Sequence, residues 1–431
     1  MTRYMEIFKE IVDIVHHDYA GYEEKRGWDD PAHYLEEIER LIAGRQITPK
    51  VFTDLVSEYL MAFQDRHMYF NLKGSENVKA STRGFRTRRY EDALYVVETC
   101  EEDRFPAGSK IVSIDQQKIE TISNSDRSFL RETSAEREDW TYLLNKSSSI
   151  VIEDKNGKLL TFDLKDYEPV SKKLTPSMEE IDDETIRITL PSSANVDETM
   201  EFVKKLEGKL KACTNLFIDV RKNGGGNGKS FSNLLPYIFP PDEHPSTEGE
   251  LKEFNYTNRN SDLFIQLCQQ LRKEITDVET LKFFDSIEEE CEKYRGQGFV
   301  TMDFSDELEA EALKFEGTDS PKNVIVMTDV YCASAAEYFV EICMESSKTT
   351  VIGRATMGVN DYSDLLIKEW DDMYSLYYPM SRRVHKTPND PLHGKGIRPD
   401  HYIPWTPKHI DEDLDLLYAL DMLRESKIAE G

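Results

Sequence analysis

The sequence predicts an α/β layered core that follows a helical N-terminal region and a small β-rich module. Three observations predict it. From residue 184 to 405, short apolar runs alternate with amphipathic stretches. That alternation marks buried, mostly parallel strands covered by helices. Before residue 80, apolar residues recur at helical spacing, and between 81 and 170 short β-rich runs are separated by turn residues.

In chain order, residues 4–16 and 32–43 read as amphipathic helices, the second with Tyr34, Ile38 and Leu41 on one face. A third helix is predicted over 50–64, with Leu55, Tyr59 and Phe63 aligned, running into the segment FQDRHMYF. Residues 1–80 are thus expected as a helical region. In 81–170, the runs ALYVVETC, SKIVSID, SIVIED and LLTFDL read as strands, and a short helix fits 134–145. This module resembles a reduced PDZ-like domain, which implies a platform that adds a peptide as an extra strand. A plain structural β module fits the same residues. The core is expected over 171–431. TIRITLP, NLFIDVR, NVIVMTD and TTVIGR read as its strands, and 196–210 and SAAEYFVEICMES as its helices. Residues 241–320 interrupt it. They are acidic in places, as in Ile287 to Cys291, and carry helical periodicity over 262–294. A helical insertion is expected there, placed as a cap.

Composition bounds the function. A chain of 431 residues has room for two or three domains, and 39% hydrophobic and 10% aromatic content argue for folded ones. The formal net charge of −28 repels nucleic acid and anionic membrane, and favours basic polypeptide partners. Cys100, Cys213, Cys268, Cys291, Cys332 and Cys343 are scattered, in a pattern that fits neither a zinc site nor a small disulfide framework. The N-terminal MTRYMEIFKE has no apolar core of a signal peptide, and runs such as NVIVM are too short to span a bilayer. A cytoplasmic protein with no membrane partner is the expectation.

Four segments carry chemistry. In FIDVRKNGGGNG, a buried strand ends on Gly224, Gly225 and Gly226. Glycine lets backbone N–H groups approach a ligand, as an oxyanion or a phosphate requires. A phosphate-binding P-loop needs a glycine at position 223, which is Asn223. In NVIVMTDVYCASAAEYFVEIC, a strand meets a turn of small residues and then a helix, with Ser334 at the turn. That geometry exposes a hydroxyl and presents the Ala335 N–H at a helix start. Taken alone, Ser334 also reads as a helix N-cap. His67, in FQDRHMYF, suits a general base near neutral pH, or a histidine with a structural role. HGKGIRPDHYIP, residues 393–404, marks a turn before a final strand.

Together these segments resemble the tail-specific, or carboxyl-terminal processing, serine proteases. The matching motifs stand in the family's order: Asp65-Arg66-His67, Phe217 to Gly226, Cys332 to Glu337, and Gly394 to Asp400. The resemblance covers nearly the whole chain and implies a crotonase/ClpP-like layered core. It implies Ser334 as nucleophile, with the N–H groups of Ala335 and of Gly225 or Gly226 as oxyanion donors. One branch of the family takes its base from a lysine 25 residues after the nucleophile. Here that position is Val359, and Lys395 belongs to the later glycine motif. The other branch, similar to tricorn protease and the retinoid-binding relatives, implies His67 as base. That branch also has a serine just before the histidine and a glutamate before the terminal glycine motif. Arg66 and His393 stand at those places. Asp65, Asp361 and His393 are therefore the candidates for orienting His67.

The function implied is a serine-type peptidase that cleaves polypeptides or oligopeptides through an acyl-enzyme on Ser334, with no metal or organic cofactor. The alternative is a weakly active or inactive binding protein on the same scaffold. An acyl-CoA enzyme of the wider crotonase fold is a third reading, which the glycine motif disfavours. Oligomeric state and cleavage specificity are open.

Overall fold

The computed structural model describes residues 3–73, 82–125, 127–130, 132, 134–154, 156–170, 173–246, 251–273, 275, 278–303, 315–384 and 395–430. The described residues form a mixed α/β protein with three sheets. Its contacts divide it into two compact units. One comprises residues 1–79, 249–304 and 361–386, and the other residues 80–248, 305–360 and 387–431.

The first unit packs helices on an antiparallel sheet. The helices Arg3–His17, Pro31–Ala43 and Pro49–Met61 start the chain. Asp30 and Thr48 cap the second and third, each followed by a proline at the first helical position. The helices present Phe8, Ile11, Phe52 and Tyr59 to a core shared with Phe70, Trp370, Tyr374, Leu376 and Tyr378. The last five come from the strands Tyr69–Leu72, Tyr362–Trp370 and Tyr374–Arg383. Tyr374–Arg383 pairs with the other two, with Tyr69 opposite Tyr377 and Ile367 also opposite Tyr377. The strands Leu251–Tyr256 and Gly298–Asp303 extend this sheet, and the helices Asn258–Leu271 and Val278–Tyr294 lie between them in sequence.

Two sequence expectations change here. The stretch expected as a helical insertion holds these two helices, but two strands flank them. Residues 249–304 and 361–386, expected within the 171–431 core, group with the N-terminal helices.

The second unit holds the other two sheets. One is parallel, in the order His401–Tyr402, Thr349–Gly353, Asn323–Thr328, Asn215–Asp219 and Thr185–Thr189, with Ser177–Glu180 antiparallel at the edge. All five residues of Asn215–Asp219 are buried, which explains its unbroken apolar run. The helices Val196–Lys205 and Ala335–Met344 cover the sheet through Val203, Phe339 and Val340. The third sheet is antiparallel, in the order Phe85–Tyr90, Ala93–Thr99, Lys110–Ile114, Ser149–Glu153 and Leu159–Asp163. It has its own core of Leu94, Ile111, Trp140 and Ile150. The helix expected at 134–145 is a 3₁₀ turn at Ala135–Arg137 followed by the helix Thr141–Lys146. Among the described residues, no helix is long and apolar enough to cross a membrane.

Candidate active site

Ser334 stands between the strand Asn323–Thr328 and the helix Ala335–Met344, at the helix N-cap position. Its backbone is at φ 55°, ψ −122°. A serine that merely caps a helix adopts extended, negative-φ backbone. Holding a non-glycine residue here costs about 1–3 kcal/mol and persists only where the surroundings enforce it. Glu337 supplies much of that enforcement. It is fully buried, and its carboxylate accepts from the N–H of Ser334 at 3.1 Å, Thr356 Oγ1 at 2.5 Å, and the N–H groups of Gly358 at 2.6 Å and Val359 at 3.0 Å. Asn360 Nδ2 donates to the Ser334 carbonyl at 3.1 Å. The loop 356–360 therefore holds the Ser334 carbonyl directly, through Asn360, and the Ser334 N–H only by way of Glu337. At the helix start, the N–H groups of Ala336, Glu337 and Tyr338 bond back to Ala333 and Ser334, while that of Ala335 takes no partner among the described residues.

The glycine triple closes against this turn. Gly225 has φ 100°, and a Cβ there would lie 2.7 Å from the Ser334 Cβ and 2.9 Å from the Ala333 carbonyl oxygen. Only glycine fits. Asn223, fully buried, ties the two loops together. Its Oδ1 accepts from the Gly225 N–H at 3.0 Å, its Nδ2 donates to the Leu190 carbonyl at 3.0 Å, and its own carbonyl accepts from the Ala333 N–H at 2.9 Å. The Gly225 N–H is thus already engaged. Of the two glycines expected as oxyanion donors, Gly226 keeps its N–H without a partner among the described residues.

The carboxyl ends of the parallel strands carry a buried ionic chain. Asp329 receives both terminal nitrogens of Arg88, at 2.8 and 2.7 Å, and pairs with Arg354 at 3.1 Å. Arg354 and Arg221 both reach Asp415. Burial pushes the Asp329 carboxyl up, but Arg88 and Arg354 outweigh it and hold it well below the ordinary carboxylate range. Arg137 donates to the carbonyls of Ala355, Thr356 and Met357 at 3.0, 2.7 and 3.0 Å, steadying the loop that reaches Glu337.

His67 belongs to the first unit, in the turn between the helix Pro49–Met61 and the strand Tyr69–Leu72. Its Nδ1 lies 2.7 Å from the Tyr362 carbonyl oxygen. A carbonyl only accepts, so Nδ1 is the donor, and in the neutral ring this leaves the lone pair on Nε2. Asp65 holds the backbone of His67 rather than its ring: Oδ1 accepts from the His67 N–H at 2.8 Å, and Oδ2 accepts from the Tyr19 hydroxyl at 2.7 Å. Asp361 is buried beside Tyr362 in the chain. His393 lies outside the described residues. The partner of Nδ1 is therefore the backbone carbonyl of Tyr362, and Asp65 bonds the backbone of His67.

Val359, at the position of the lysine in the other branch, is buried and apolar. The described residues hold no group of three or more His, Cys, Asp or Glu able to bind a metal ion. Sequence reasoning missed the roles of Glu337, Asn223, Asn360 and Tyr362. The first two sit inside the motifs around Ser334 and the glycines, so their place was visible. Asn360 and Tyr362 carry no local signal.

The sequence profile of peptidase family S41 matches residues 184–403, about half of the chain, and this span contains both the glycine triple and Ser334. The chain belongs to peptidase family S41. Solved structures agree on the fold. Mature CPAF complexed with lactacystin is similar at TM-score 0.65 and 11% identity, over 94% of each chain. Mature CPAF is similar at TM-score 0.64 and 10% identity, over 94% of this chain and 93% of that one. No curated protein sequence matches the chain. Membership of peptidase family S41 supports a serine peptidase, which acts on polypeptide substrates.

Proposed function

We propose that this S41 protein is an active serine peptidase of the tail-specific type, in the branch that uses histidine as base. The observation that carries the reading is the backbone of Ser334, held at φ 55° on a strand-to-helix turn, with the Ala335 N–H behind it without a partner among the described residues. Ser334 Oγ attacks the scissile carbonyl, and His67 Nε2 takes its proton. The Ala335 N–H, with a glycine N–H from Gly225 or Gly226, stabilises the tetrahedral oxyanion. The Gly226 N–H, without a partner among the described residues, is the readier donor of the two. His67 then protonates the leaving amine, and water hydrolyses the acyl-enzyme with no metal or organic cofactor. The parallel-sheet unit fits a crotonase/ClpP-like core, and the antiparallel sheet of 85–163 fits a PDZ-like module that would receive a peptide strand. The strongly negative charge suits basic polypeptide substrates and a cytoplasmic setting.

A second reading, a binding protein on the same scaffold, draws on Val359 and on the engaged Gly225 N–H. One experiment separates the two. The purified protein is incubated with an unfolded polypeptide and with a fluorophosphonate probe, beside Ser334→Ala and His67→Ala. Cleavage and labelling at Ser334, both lost in Ser334→Ala and cut about 10²–10⁴-fold in His67→Ala, are expected. A wild-type protein that neither cleaves nor labels leaves the binding reading standing.

A further inference from the structure

Two separate supports of His67 meet at one buried cation. The first runs through the backbone: the His67 N–H donates to Asp65 Oδ1 at 2.8 Å, the Tyr19 hydroxyl donates to Asp65 Oδ2 at 2.7 Å, and Lys25 Nζ donates to the Tyr19 hydroxyl at 2.9 Å. The second runs through the ring: His67 Nδ1 donates to the Tyr362 carbonyl at 2.7 Å, and Lys25 Nζ stands 4.3 Å from the centre of the Tyr362 ring. The Tyr362 hydroxyl is itself held by Glu24 at 2.7 Å. We propose that Lys25 is a positioning residue for His67, its ammonium fixing Tyr19 and Tyr362 and, through them, the backbone and the ring tautomer of the histidine. The inference rests on the reading of His67 as general base.

Lysine is rarely buried, and Lys25 is 9% exposed. An ammonium out of water needs compensation, which its neighbours provide. Asp65 lies 4.0 Å from Nζ, and Asp361 and Glu24 add negative charge. The phenols of Tyr19 and Tyr362 complete its surroundings. Burial still prevails and lowers the pKa of Lys25 below the ordinary lysine range, against the pull of Asp65, Asp361 and Glu24. Burial and Asp65 together push the Tyr19 phenol far up, so Tyr19 stays neutral and keeps its proton for Asp65. Gly21 is part of the same construction. A Cβ at that position would stand 2.3 Å from the Tyr19 hydroxyl oxygen, so the ring reaches Asp65 only across a glycine.

A purely structural cation would affect stability alone. A positioning residue also affects the histidine. As pH rises past the lowered pKa of Lys25, the ammonium loses its proton, the attraction to the Tyr362 ring disappears, and activity should fall on an alkaline limb. Arginine keeps its charge through that range, so Lys25→Arg should carry the limb to higher pH.

The test measures kcat, KM and their pH profiles on an unfolded polypeptide, together with ¹⁵N NMR of the histidine rings, with His67→Ala assigning the His67 signals. Lys25→Met is expected to lower kcat about 10- to 100-fold with KM within about threefold, to remove the alkaline limb, and to mix the two His67 tautomers. Wild-type kcat with His67 still wholly protonated on Nδ1 would overturn the inference. Should Lys25→Met fail to fold, Tyr19→Phe deletes a single oxygen and decides instead. A shifted His67 tautomer population supports the inference, and an unchanged one overturns it. The two readings fail separately. Full activity in His67→Ala would defeat the general-base reading, while the tautomer spectrum would still decide the role of Lys25.

Discussion

The turn around Ser334 and the turn around His67 solve the same problem by different means. Ser334 is held by residues close to it in sequence: Glu337 three positions on, and the 356–360 loop some twenty positions further. Most of the bonds are backbone N–H groups converging on one buried carboxylate. His67 is held by Asp65 beside it, but also by Tyr19, 46 residues before Asp65, and by Tyr362, 295 residues after His67. The backbone groups of Ser334 itself are held by nearby residues, while Asn223 bonds the neighbouring Ala333 from afar. The base is oriented by partners the fold must bring from afar. A motif therefore reports the first arrangement well and the second poorly.

The contrast can be broken most severely at Glu337. Glu337→Ala strips the acceptor from three N–H groups and a hydroxyl and leaves them buried. Destabilisation of about 3–5 kcal/mol is expected, read as a lower urea midpoint at unchanged slope. An unaltered midpoint would mean that the turn does not depend on its carboxylate. Gly225→Ala tests the steric side of the same turn. Its Cβ would press on Ser334 at 2.7 Å from a backbone at φ 100°. A loss of about 1–3 kcal/mol is expected, with fluorophosphonate labelling of Ser334 slowed well beyond what the stability change explains. Labelling at the wild-type rate would show that the two loops part easily. The mildest change sharpens the His67 side. Tyr362→Phe removes only the hydroxyl bonded to Glu24 and spares the carbonyl that orients the ring. Stability should drop by about 0.5–1.5 kcal/mol while kcat stays within about twofold. A large fall in kcat would move the burden from the carbonyl and ring to the hydroxyl.

The same distinction explains what the sequence made legible. The strands Asn215–Asp219 and Asn323–Thr328 are unbroken apolar runs because both sheet faces are covered, and they were readable as such. Ser334 and the glycines followed from where those strands end. The antiparallel sheet of the first unit was not readable. Its central strand Tyr374–Arg383 contains Ser375, Pro379 and Ser381, and proline argues against a central strand. Pro379 brings no N–H to the ladder, and its carbonyl accepts from the Ala20 N–H, a partner outside the sheet. The strands Leu251–Tyr256 and Gly298–Asp303 are short and only part buried, so no period stood out. The orienting carbonyl of Tyr362 has no side-chain signature, and carboxylates were the natural expectation in its place.

The small knot at Thr356 has a consequence for when the site comes into being. Thr356 Oγ1 donates to Glu337 and accepts from the Ile397 N–H at 2.8 Å, and the Thr356 N–H bonds to the Ile397 carbonyl at 3.1 Å. Gly358 and Gly396 pack so closely that a Cβ on Gly358 would stand 2.4 Å from the Gly396 nitrogen. The clamp on Ser334 is thus finished by residues translated more than sixty positions after it. During synthesis the nucleophile emerges before the bonds that shape its turn, and the geometry that favours attack on a peptide is complete only once the segment around Ile397 has followed.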